Sequence, residues 1–170
     1  MDTVGSNPFA VLTAVVAPAI LTNASSVLAL GTSNRLARVV DRTRVVAKEL
    51  AGIEPGARIE SKIEGEYESL SAQLDRLQVR AQLLVKALRL FYASLGLFAT
   101  AALLSVVGSM STYYGQQILF QVMAVLALVA GLIAVLGLAL GCALMVHETR
   151  LAVRNLAEEA KIQVKYRVGR

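Results

Sequence analysis

The chain alternates between two kinds of hydrophobic pattern. From Thr3 to Asn34, and again from Phe91 to Val146, it carries no Asp, Glu, Lys or Arg. Uncharged apolar runs longer than about 18 residues are membrane spans rather than core helices. The second run is long enough for two spans, and its polar interruption at Ser109–Gln117 marks the connection between them. Three spans are therefore expected, at about Pro8–Gly31, Leu88–Thr112 and Ile118–Val146.

Elsewhere the apolar residues recur in alternating steps of three and four, the seam spacing of packed helices. Leu36, Val39, Thr43, Val46, Leu50 and Ile53 form one such seam. A second, Tyr67, Leu70, Leu74, Leu77, Ala81, Leu84 and Leu88, runs on through Phe91, Leu95 and Phe98 into the second span. A seam that enters an apolar run unbroken implies one continuous helix. The Gly and Pro-Gly within Ala51–Gly56 signal a turn. The tail repeats the pattern at Val153, Leu156, Ala160 and Val164. The predicted fold is all-α: three transmembrane helices extended into a cytosolic helical hairpin plus a C-terminal helix, assembled as a symmetric homo-oligomer. Its segments are 1–33 (first span), 34–87 (hairpin, with its turn near 51–57), 88–146 (second and third spans) and 147–170 (C-terminal helix). At ~1.5 Å per residue, Thr32–Leu50 projects roughly 28 Å and Arg58–Lys86 roughly 43 Å. That mismatch, with Gly65 between two glutamates, predicts a separate or bent piece over Arg58–Tyr67.

Within the spans, Pro8 suits a helix start. Pro18 is interior, where it should leave the Ala14 carbonyl unpaired and bend the helix. Thr22, Asn23, Ser25 and Ser26 follow at once. Such side chains either hydrogen-bond across helix interfaces or line a wetted path through an oligomer. Gly96 with Thr100, Ala101 with Ser105, and the GxxxG of Gly137 and Gly141 allow close backbone approach. For the GxxxG, dimerisation and packing inside one protomer both remain open.

Charge then orients the helices. Of the 17 Lys and Arg, eleven lie between Arg35 and Arg89 and the other six between Arg150 and Arg170. By the positive-inside rule the hairpin and tail are cytosolic, while the N-terminus and the Tyr113-Tyr114 turn are outside. The expected location is the cell inner membrane, multi-pass. The leader lacks Lys and Arg, and its apolar stretch exceeds a signal-peptide core, so the first span is expected to stay. An apolar fraction of 56%, a charged fraction of 17% and a mean hydropathy of +0.60 exclude an ordinary soluble domain.

Little here supports catalysis. His147 is the single histidine and Cys142 the single cysteine, too few for a metal site. No phosphate- or dinucleotide-binding glycine pattern occurs, and no charge lies inside a span to relay protons. Glu60, Glu64, Glu66 and Glu68 read as a solvated face. No enzyme activity, metal or cofactor is expected. At ~100° per residue, Val15, Pro18, Thr22, Ser26, Ala29 and Ser33 make a narrow stripe along the first helix, the candidate pore lining. Arg35, Arg38 and Arg42 cluster on the opposite side, as candidates to meet anionic lipid headgroups or another subunit. One face cannot serve both purposes. Asp41 can pair with Arg38 or Arg44. The bases hug the membrane without aromatic partners, so nucleic acid is not an expected partner.

The junction NRLARVVDR, preceded by SSVLALGTS and followed by two further spans, resembles a family of small bacterial membrane proteins known as a domain of unknown function. The resemblance covers most of the chain and implies a three-span inner-membrane protein, with no catalytic or binding residue to carry over. Two functions suit these features. One is an oligomeric ion channel or pore lined by the first helix, with the cytosolic helices as vestibule. The other is a membrane scaffold whose cytosolic helices dock a partner protein.

Overall fold

The computed structural model describes the backbone of residues 8–53 and 61–168 and the side chains of residues 16–53, 65 and 67–154. It consists of three α-helices: α1 (Pro8–Ala51), α2 (Ser61–Tyr113) and α3 (Gln117–Val168). Among the described residues there is no strand. The expected turn near 51–57 lies outside the described residues, apart from the helix end at Ala51–Ile53, and so do Glu60 and the side chains of Glu64 and Glu66.

Each helix joins an apolar stretch to a charged one without interruption. Val16–Ala51, Tyr67–Tyr113 and Gln117–Arg154 each hold a segment long and apolar enough to cross a membrane. At ~1.5 Å per residue, helices of 52 and 53 residues are about 80 Å long. That is more than twice the ~30 Å hydrocarbon core of a bilayer, so the helices must continue beyond it. The chain is a multi-pass membrane protein. Pro18 sits inside α1 without ending it. From Ser61 onward α2 is also one helix, with no separate piece at Gly65. A single glycine costs a helix only about 1 kcal/mol, which the good helix formers around it offset.

The helices sort into two compact units, residues 1–31 with 88–141 and residues 32–87 with 142–170; we call them the apolar and the charged unit. In the charged unit the two predicted seams meet. Val39 and Val46 of α1 and Leu77 and Leu84 of α2 form its buried core, with Leu36, Leu70, Leu74, Ala81 and Met145 packed against it. Lys48 and Glu49 carbonyls accept the Gly52 N–H as α1 ends.

In the apolar unit Phe91, Phe98, Ala101 and Ala134 are buried. The Gly137–Gly141 pair packs inside the protomer. A Cβ on Gly141 would lie 2.5 Å from the Phe91 ring, and one on Gly137 would lie 2.7 Å from the Ser94 Oγ. These glycines let α3 approach α2 closely, as small residues do between membrane helices. The α2–α3 turn is a glycine cap. Gly115 adopts φ 74°, its N–H donates to the Thr112 carbonyl, and the Gln116 N–H donates to that of Ser111, a Schellman arrangement. Tyr113 and Tyr114 stand exposed at this turn, edge to face at 5.9 Å.

Candidate functional site

Two places hold polar chemistry that the core does not explain. The first is in the charged unit, where the Glu148 carboxylate of α3 is only 4% exposed. The Arg80 Nε of α2 donates to its Oε1 at 2.8 Å, and the Arg80 Nη2 lies 2.8 Å from the same oxygen. The Arg35 Nη1 of α1 stands 3.9 Å from Oε2 and donates to the Thr149 hydroxyl at 3.3 Å. That hydroxyl in turn donates to the Met145 carbonyl, and the Thr32 hydroxyl contacts the Met145 sulfur at 3.7 Å. One buried carboxylate thus ties together all three helices. An arginine fork suits this task, since it presents several donors in a fixed plane. Removing one partner of a buried pair costs about 3–5 kcal/mol, because the other charge is left uncompensated. The arrangement joins one turn of α3 to one turn each of α1 and α2.

The second place is α1 in the apolar unit. Ser25 and Ala29 are buried, while Pro18, Leu21 and Thr22 are half-buried. Asn23 and Ser26, by contrast, face outward. The Ser26 hydroxyl donates to the Thr22 carbonyl at 3.0 Å. Thr100 and Ser105 likewise donate to backbone carbonyls of their own helix, at Gly96 and Ala101. The Asn23 amide has no partner among the described residues. The buried Ser25 and Ser94 hydroxyls also have no hydrogen-bond partner among the described residues. A cavity of about 550 Å³ in this unit is walled by apolar side chains such as Pro18, Phe98, Phe120 and Leu132. Among the described residues, no three His, Cys, Asp or Glu side chains gather as a metal ion would need.

The family of "Protein of unknown function (DUF2721)" matches residues 15–158, a span that includes both places. The chain belongs to that family. No curated protein and no solved structure matches it.

In this DUF2721 chain the pore-lining candidates divide. Ala29 is 3% exposed and closed off within the protomer. Pro18, Thr22 and Ser33 are half-buried and Ser26 is exposed; the Val15 side chain lies outside the described residues. Pro18, Thr22, Ser25, Ala29 and Thr32 follow the same three-and-four spacing as Leu36 and Val39, so three of the six stripe residues, Pro18, Thr22 and Ala29, share the face α1 packs inside its protomer. All three arginine candidates are exposed, and Arg35 also reaches Glu148 and Thr149. Asp41 pairs with Arg44 at 3.7 Å. Sequence reasoning missed the role of Glu148. The available signal was its isolation: it is the only acid between Asp75 and Glu158, amid six basic residues.

Proposed function

We propose that this chain is the subunit of an oligomeric channel of the bacterial inner membrane, with α1 beside the conduction path and the charged unit as its cytosolic vestibule. The observation that carries this reading is the pair Asn23 and Ser26, the polar residues among the exposed positions of α1 between Val16 and Leu30. Both side chains are exposed on the protomer, so on this reading the path forms between copies. With no charge in the span, such a path would be weakly selective or gated by dewetting. The charge bias supports an outside location for the Tyr113-Tyr114 turn, and the exposure of Arg38 and Arg42 supports contact with anionic headgroups. The reading assigns no catalytic chemistry, and nucleic acid has no part in it.

Purified protein in liposomes tests this directly. Ion flux is expected, and Ser26→Leu should change it without altering the assembly. Absence of flux across pH, voltage and membrane tension would defeat the channel. The scaffold reading would then be the better account. Its support is the set of exposed aliphatics Val45, Val79 and Val153 in the charged unit, 45–62% exposed, which a docked partner would cover.

A further inference from the structure

We propose that copies of this chain assemble through the outward face of α1, with Asn23 amides hydrogen-bonded to one another across the interface. The inference rests on the oligomeric part of the preceding reading and not on conduction. Val16, Ala19, Asn23, Ser26 and Leu30 follow alternating steps of three and four, and every one of them is exposed. This is a second seam on α1, separate from the packed one that holds Pro18, Thr22, Ser25 and Ala29.

Asn23 decides what covers it. It stands twelve positions before Arg35, the first basic residue of the chain, which is about 18 Å of helix. That places it near the middle of a ~30 Å hydrocarbon core. Its amide is exposed there without a partner among the described residues. Lipid tails supply neither donor nor acceptor, so the group must be satisfied by protein. An amide is donor and acceptor at once, and is therefore complementary to its own copy. Parallel α1 helices around an axis along the membrane normal bring every Asn23 to the same depth. A lone Asn at a seam position sets register and subunit number in such bundles. Ala19 and Ser26, one turn to either side, are small enough to let the backbones approach.

The test starts from full-length Cys142→Ser protein, which removes the native thiol. Single cysteines are placed at Ala19, Ser26 and Leu30, and, for comparison, at the exposed Ile20 and Ala24. Oxidation in native membranes should give disulfide-linked dimers at the first three and few at the other two. Equal cross-linking at all five, dimers only at Ile20 and Ala24, or linkage to a different protein alone would overturn the proposal. Asn23→Leu should weaken self-association in liposomes about 3- to 30-fold, the range that interhelical hydrogen bonds supply in membranes, while Asn23→Gln should retain it. Unchanged association in Asn23→Leu would likewise overturn it. Seam-specific dimers without ion flux would uphold this interface while defeating the channel; flux without those dimers would do the reverse.

Discussion

The charged and apolar units are cut from the same three helices, yet they hold together by opposite means. The charged unit closes over branched and long aliphatic side chains, Val39, Val46, Leu77 and Leu84, and locks its register with a buried carboxylate between arginines. The apolar unit turns its aliphatics outward, with Leu103, Leu128 and Leu136 all more than 60% exposed, and brings helices together at glycine, alanine and serine. In water, burying a leucine is itself the driving force. In hydrocarbon it gains nothing over contact with lipid, so close contact between small residues takes its place. The apolar content of a segment therefore does not report how well it is buried. In α3, the most apolar helix, only 6% of the membrane stretch is buried, against 22% in α2.

The largest expected effect tests the lock. Arg80→Leu leaves Glu148 buried without its closest partner and should cost about 3–5 kcal/mol. Adding Glu148→Leu should recover most of that loss, since an apolar pair of similar volume is often as stable as a buried ion pair. Thermal unfolding in detergent, followed by loss of helicity, reads both variants. If the double variant is as unstable as the single one, the carboxylate does more than neutralise Arg80.

A matched pair of leucines sharpens the contrast between units. Leu84→Ala empties a fully buried position of the charged unit and should cost about 2–5 kcal/mol. Leu136→Ala, at a position 64% exposed in the apolar unit, should change stability little. Equal losses in the same unfolding experiment would mean that another surface covers α3.

The smallest effect compares two glycines of α3. Gly141→Ala drives a methyl into the buried Phe91 ring and should cost about 1–3 kcal/mol, as overpacking does. Gly131→Ala has open space around its new methyl and should be neutral or stabilising by up to about 1 kcal/mol through helix propensity. Phe91→Leu should relieve the Gly141→Ala variant, which unfolding midpoints of the three proteins would show.

Much of this was legible in the order of residues. Charge-free runs located the membrane stretches, and steps of three and four located Leu36–Ile53 and Tyr67–Phe98, because a helix can bury only residues that return to one face. The NRLARVVDR junction pointed to the family. Harder to read was the face of α1 that would be covered. Thr22, Ala29 and Ser33 look alike as small residues on a stripe, and spacing alone cannot tell an inward face from an outward one.

The sequence by itself determined three helices long and apolar enough to cross a membrane and the two seams that meet in the charged unit. Those properties depend on hydrophobic length and periodicity, which are local in the chain. Only the tertiary structure decided that Ala29 is closed inside, that Asn23 looks out, that the Gly137–Gly141 pair receives Phe91 and Ser94, and that Glu148 binds Arg80 from 68 positions away. Each of those depends on which helix lies opposite, a relation between residues far apart in sequence that no single helix encodes.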